Sequence, residues 1–395
     1  MKKRILFRSG SLGMGGLEKV LVQTLQILSS SEWEISLLLT YDEKEKNILE
    51  KEIPKNIPYS FLNDNNFLKK LEYSQLRKKQ NLYHKLKYLY FLHKARRNSL
   101  QKTNEYIKKY GPFDIFIDYD GGAMKYIEQI PIPEKVVFFH SSPSQAIHNK
   151  GKQKRYQKRL QNYTKIIAIC DAMKEELQEM FSSLANKIFR IYNPFLFQRI
   201  NSLQYDTSSL SENEKKMLSD NYCLMVSRLD TSQKDFSTLF QAFYQAKKEG
   251  LQDKLYLIGD GISREELEEE VHKLGLEEEI LFLGLQTNPY IWMKHSKLLV
   301  HSSRAEGFGL VLVEALACGR MVIASDCPVG PREILNQETC GVLFSVGNIE
   351  QLKNQLLFFL QNSDLRKKYE SHISKSISRF DSKAILQAYQ ELFLR

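Results

Sequence analysis

The densest chemistry in this chain lies in Glu306-Gly-Phe-Gly-Leu-Val-Leu-Val-Glu314-Ala-Leu-Ala-Cys-Gly319. Two carboxylates flank seven residues. Gly307 and Gly309 let the backbone approach a ligand closely. The apolar run from Leu310 to Leu316 predicts a helix, and the first turn of a helix has free N–H groups that can face a phosphate. Glu314, inside that helix, can accept hydrogen bonds from both hydroxyls of a ribose. Arg228 and Lys234 lie upstream, in Val226-Ser227-Arg228-Leu229 and Lys234-Asp235. Alone they read as an ordinary solvated pair; beside a phosphate they would neutralise its charge.

Weaker signals accompany these. Ile258-Gly259-Asp260-Gly261 is a strand running into a glycine turn. Gly10-Ser-Leu-Gly13-Met-Gly15-Gly16 is another, and half-resembles a dinucleotide fingerprint. Counted from Gly13, however, Glu18 stands where that fingerprint needs its last glycine. His140 closes the apolar run Val136 to Phe139, at a strand's carboxyl end, where open sheets bind ligands. Asp118 and Asp120, before Gly121-Gly122, either meet a ligand or cap their turn.

The elements that must hold these residues follow from alternation. Short apolar runs are expected as strands at 5–7, 35–39, 115–118, 136–139 and 166–169, with a helix from about Asp171 as N-cap. Tyr192 to Asp220, with Asn193-Pro194 and a polar run, breaks the pattern and reads as a connection. Strands are then expected at 222–226, 254–258, 280–283, 298–300, 321–324 and 341–344, with helices at 236–247 and 264–274. Strand–helix alternation describes doubly wound α/β sheets, here two in series. The length of 395 residues suits two domains.

Charge is unevenly spread. Between Lys69 and Lys109 there are 13 cations against Glu72 and Glu105, a local surplus of +11, while the whole chain carries +10. A second run, Lys150 to Arg159, is also basic. The helical stretch 67–106 interleaves these cations with Leu and Tyr. It reads either as amphipathic helices with a solvated basic face or as a face meeting anionic lipid. No nucleic-acid module signature appears. No window has the roughly 20 apolar residues of a membrane span, and no signal peptide is expected, because Arg8 cuts short the apolar run after Met1-Lys2-Lys3-Arg4. Five scattered cysteines with no C-x-x-C pair argue against a disulfide framework or zinc site and fit a reducing cytoplasm.

Glu306 to Glu314 resembles the E-x7-E signature of the family-4 retaining glycosyltransferases. Arg228 and Lys234 are similar to that family's G-R-L…K-G element, with Ser227 and Asp235 replacing glycines. The resemblance implies a GT-B fold: two Rossmann-like doubly wound domains facing across a cleft. Residues 1–195 would form the acceptor-side domain with the basic insert at about 67–106, 196–220 a linker, and 221–370 the donor-binding domain. Residues 371–395 would carry a C-terminal helix crossing back to the N-terminal domain. It also implies roles. Glu306 lies beside the donor sugar, Glu314 binds the nucleotide ribose, and Gly307, Phe308, Gly309 and Leu310 offer amides to the sugar diphosphate. Arg228 and Lys234 neutralise the diphosphate. Gly15, Gly16, Gly259 and Gly261 line the donor, His140 contacts its sugar, and Asp118 and Asp120 are the acceptor-side candidates.

Gly330-Pro331 with Glu333 resembles the version found in builders of bacterial capsule, lipooligosaccharide and lipid-linked glycans, many of which use UDP-sugars. The implied enzyme is a hexosyltransferase moving a hexose or N-acetylhexosamine from a nucleotide diphosphate sugar to a glycan or undecaprenyl-linked acceptor. The resemblance implies no cofactor and no metal, and a cytoplasmic protein, peripheral on the membrane through 69–109 if that face meets lipid. Two rivals stay open: a sugar-nucleotide epimerase of the same fold, and a non-catalytic subunit supporting a partner transferase.

Overall fold

The computed structural model describes residues 2–13 and 15–394. Two compact units are formed: Met1–Phe195 together with Ile385–Arg395, and Leu196–Ala384. Each is built on one sheet whose ladders are all parallel.

In the first unit the strands are β1 (Arg4–Ser9), β2 (Glu34–Tyr41), β3 (Tyr59–Asn63), β4 (Ile115–Asp118), β5 (Glu134–Phe139), β6 (Lys165–Ala168) and β7 (Ile188–Arg190). Their spatial order is β3-β2-β1-β4-β5-β6-β7. The second unit holds β8 (Tyr222–Val226), β9 (Lys254–Ile258), β10 (Ile280–Gly284), β11 (Leu299–His301), β12 (Val322–Ser325) and β13 (Gly341–Phe344), ordered β10-β9-β8-β11-β12-β13. Both orders reverse direction once, between β1 and β4 and between β8 and β11. At such a switch point the two loops leaving the strands' carboxyl ends diverge and open a crevice for a ligand.

Strands covered on both faces read as continuous apolar runs, which is why Ile115-Phe116-Ile117 and Cys223-Leu224-Met225 are wholly buried. The Phe236–Lys248 helix lays Phe236, Leu239, Phe240 and Phe243 onto the second sheet. Burial of each such side chain is worth about 1.5–3 kcal/mol.

Several expectations needed revision. β3 and β7 were not expected: β3 offers only Phe61 and Leu62 to a core, and β7 is three residues long. β1 runs through Arg8 to Ser9. Asp171 is the first helical residue, and Cys170 holds the N-cap position. The stretch expected as a linker, 196–220, belongs to the second unit and contains the Phe197–Leu203 and Glu212–Met217 helices. Asn288 Nδ2 fastens it by donating to the carbonyls of Leu203 (2.8 Å) and Asp206 (3.1 Å). The final helix is shorter than 371–395, spanning Ser382–Leu394. Its Tyr389 stacks on Phe138, and Phe393 sits edge-on to Trp33, within the first unit. The insert is a pair of helices, Asn65–Arg77 and Leu82–Tyr110.

Candidate active site

In the second unit the switch point falls between β8 and β11, and the loops leaving them carry the sequence candidates. Lys234 bridges to Ser303 across the two loops, and the Asp235 N–H donates to the Ser302 carbonyl at 3.1 Å. This pairing brings Lys234 onto Glu306. Three donors converge on one carboxylate oxygen, Glu306 Oε1: the Lys234 ammonium, His301 Nε2 at 2.8 Å and Ser303 Oγ at 2.6 Å. Burial pushes the Glu306 carboxyl up, but the His301 hydrogen bond and the charge of Lys234 outweigh it and hold the group well below the usual carboxylate range. Burial, then Lys234, pushes His301 below its ordinary value. Its Nε2–H donates to Glu306, and the buried Nδ1 has no partner. The donors leave Glu306 ionised.

Asp235, where the family pattern has glycine, strengthens the loop pairing. It is buried, and it accepts from Arg304 Nη2 at 2.9 Å and from Thr238 Oγ1 at 2.8 Å. Arg228 is exposed two residues beyond β8; the Ser232 hydrogen bonds first, and the charge of Arg228 after them, hold the Asp230 carboxyl below the usual carboxylate range. The structure does not place it on Glu306.

The glycines have specific steric reasons. Gly309 caps the Leu310–Ala317 helix at φ +95°, a left-handed conformation that strains other residues. A Cβ on Gly259 would lie 1.9 Å from the Ser227 carbonyl oxygen, and one on Gly261 2.2 Å from that of Leu229. The two turns beyond β8 and β9 therefore touch backbone to backbone. Gly307 is half-buried, and Phe308 is buried with its ring edge-on to Phe380 at 5.6 Å. Glu314 is buried one turn into the helix.

In the first unit the loops at the switch point hold a different network, which sequence reading missed. Arg8, on β1, is registered opposite Asp118 on β4 and is itself buried. Its guanidinium donates to Asp118 (3.3 Å), Asp120 and Thr40. Tyr163 Oη donates to Asp118 at 2.6 Å, and the Ala123 N–H to both its oxygens at 3.1 and 3.0 Å. Asp118 has no exposed surface, so the acceptor-contact reading fails for it and the turn-capping reading stands. The side chain of Asp120 keeps 20% of its surface and also takes the Gly122 N–H at 2.8 Å. An apolar strand interrupted by arginine just before glycine, opposite a strand ending in aspartate, was the available signal. Gly15 caps the Gly16–Leu28 helix. Met14 of the same turn lies outside the described residues.

His140 is sandwiched by Tyr119 (ring centroids 4.6 Å) and Phe138 (5.9 Å), and its buried Nε2 has no partner. Burial pushes its ring down to about 4, against a backbone hydrogen bond to Tyr119 that raises it. Below the unfolded value of about 6.5 the unfolded chain takes up the proton first, so this contribution is present above that pH and lost as pH falls toward 4. His140→Gln should flatten the stability–pH slope in that window by up to about 1.4 kcal/mol per pH unit. Urea unfolding of both proteins at several pH values reads this directly; identical slopes would exclude a buried neutral histidine.

Each unit is a parallel, doubly wound Rossmann-like sheet, the fold shared by solved GT-B glycosyltransferases. Residues 206–375 match the family model "Glycosyl transferases group 1", and that stretch is a group 1 glycosyltransferase domain. The chain is 30% identical over 207 residues to the N-acetylgalactosamine-N,N'-diacetylbacillosaminyl-diphospho-undecaprenol 4-alpha-N-acetylgalactosaminyltransferase of Campylobacter jejuni subsp. jejuni serotype O:2, covering 52% of this chain and 53% of that protein. The chain spans about half the length of the curated relatives it matches. Two solved structures share the fold: Anabaena Alr3699/HepE in complex with UDP and glucose (TM-score 0.77, 22% identity, 99% of each chain) and the lipopolysaccharide outer core galactosyltransferase WaaB in its apo form (TM-score 0.71, 22% identity, 99% of each chain).

Proposed function

We propose that this chain is a retaining glycosyltransferase that moves a hexose or N-acetylhexosamine from a UDP-sugar to a glycan or lipid-linked acceptor in bacterial surface polysaccharide synthesis. The observation that carries this reading is the convergence of Lys234, His301 and Ser303 on Glu306 Oε1 at the switch point of the second sheet. A lysine largely withdrawn from solvent and resting on a buried carboxylate is a cation ready to move to a stronger anion. A donor diphosphate would draw the ammonium across, while Oε2 of Glu306 accepts from the sugar. UDP as nucleotide is supported by the fold-mate holding UDP and glucose, and a lipid-linked acceptor by the Campylobacter relative's name.

The acceptor hydroxyl oxygen bonds to the anomeric carbon as the bond from that carbon to the diphosphate oxygen breaks. The hydroxyl proton passes to the departing diphosphate on the same face, through an oxocarbenium-like state, so configuration is kept. Lys234, with Arg228 and the start of the Leu310–Ala317 helix, stabilises the charge growing on the leaving group. These groups do the electrostatic work in place of a metal, so the proposed enzyme needs neither metal nor cofactor.

A panel of UDP- and GDP-sugars, assayed for slow donor hydrolysis with and without EDTA, tests the reading. Release of UDP from at least one UDP-sugar, unchanged by EDTA, is expected. Failure of every nucleotide sugar to bind by titration calorimetry would refute it; a strict Mn²⁺ or Mg²⁺ requirement would refute metal independence.

A further inference from the structure

The Leu82–Tyr110 helix exposes large apolar side chains over its first turns. Ala95, Ser99 and Thr103 face inward, while Leu82, Tyr83, Leu86, Leu89 and Tyr90 face solvent. Leu82 is 69% exposed and Leu86 56%. These positions recur at one-turn spacing and form one stripe. At the end of the partner helix Asn65–Arg77, just before the hairpin turn, Leu76 is 83% exposed. Isolated exposed leucines are ordinary, but six exposed large apolar side chains on one helix hairpin are not.

Cations flank these side chains. Arg77, Lys79 and Lys85 are exposed around the turn, and from Tyr73 to Asn104 the sequence contains no Asp or Glu. The basic field reaches further: Arg159 of the Lys150–Leu160 helix lies near enough to Arg96 and Lys125 to repel both. A second copy of this chain is a poor occupant, because a symmetric pairing would appose the same cations with no carboxylate between them. A bilayer with anionic headgroups meets both halves of the pattern: leucines and tyrosines enter the headgroup–acyl boundary, and lysines and arginines meet lipid phosphates.

We propose that the tip of the 65–110 helix hairpin docks this protein on an anionic lipid surface, with Leu76, Leu82, Leu86 and Leu89 inserted and the flanking cations on phosphates. No helix among the described residues is long and apolar enough to cross a membrane, so this contact is interfacial.

Flotation of the full chain with vesicles of phosphatidylcholine alone, or with about 30% phosphatidylglycerol, tests the proposal. Binding is expected only to the anionic vesicles, weakening as salt is raised. Each cation removed should cost about five-fold, so R77Q/K79Q/K85Q should bind at least about ten-fold more weakly. L82S/L86S/L89S should lose at least about ten-fold with every cation kept, which separates insertion from bulk attraction. Circular dichroism confirms that both variants fold. Equal binding to neutral vesicles, or no binding to anionic ones, overturns the proposal. So does leucine-independent binding that an added oligonucleotide competes away, or self-association abolished by the leucine substitutions.

Discussion

Lys234→Ala should lower kcat by about 10²–10³-fold, the scale for losing one preorganised group aimed at developing charge. Lys234 sits within the sheet-end pairing, its side chain 12% exposed, against a carboxylate 10% exposed. With the ammonium gone, His301 and Ser303 still donate to Glu306. The carboxylate therefore stays hydrogen-bonded, and the loss falls chiefly on the leaving diphosphate. Glu306→Gln perturbs the same site from the other side: a neutral amide can accept a hydrogen bond but leaves Lys234 without its counter-charge. The two variants should fail differently. Lys234→Ala should weaken UDP binding as well as turnover. Glu306→Gln should bind UDP at least as well, since the freed ammonium has only the phosphate to pair with, yet transfer poorly. Steady-state kinetics with calorimetric UDP titration separates these patterns. Near-normal kcat in both variants would remove the site from this pair.

How much of this was visible in the sequence follows from what each residue type signals alone. Glu306 and Glu314 stood out because two carboxylates around Gly-Phe-Gly and the mostly apolar run from Leu310 to Leu316 form a dense local pattern. The strand ends at Val226 and Ile258 were legible because fully covered parallel strands are continuously apolar. His301 and Ser303 were not: they lie in an ordinary polar run, His301 to Arg304, at and just beyond the end of a short strand, and what matters is that Lys234 is paired across from them, a contact between residues 67 and 69 positions apart. Asp235 looked like a defect in the glycine pattern. It is a buried tether for Arg304, which shows that the loop can be held by side-chain bonds where the pattern uses glycine. The basic hairpin was legible as helical and cationic, but sequence alone left its solvated and lipid-facing readings balanced. The exposure of Leu76, Leu82 and Leu86 is the structural observation on which the lipid-facing proposal rests.

The first unit supplies the largest expected effect on stability. Arg8→Met should destabilise the protein by about 3–5 kcal/mol, the cost of stranding a buried charge. Arg8 is the only described cation donating to both Asp118 and Asp120, and a methionine fills its volume without a donor. For a unit of this size the melting temperature should fall by roughly 10 °C. The pH dependence identifies the cause. Burial pushes Asp118 up to about 6 even with Arg8 opposing it, so in Arg8→Met the carboxyl rises further. A group raised in the folded state favours folding when protonated, and that contribution is lost as pH climbs through the folded value. The deficit should therefore be greatest near pH 8 and shrink toward pH 5, where Asp118 no longer buries a charge. Adding Asp118→Asn to Arg8→Met should recover part of the loss at pH 8 and remove most of its pH dependence, since the stranded charge is gone. Thermal unfolding of Arg8→Met, Asp118→Asn, the double variant and the unsubstituted protein across this range makes the double-mutant cycle. A deficit below about 1 kcal/mol, or one that deepens on acidification, would mean that Arg8 serves packing and not the neutralisation of Asp118.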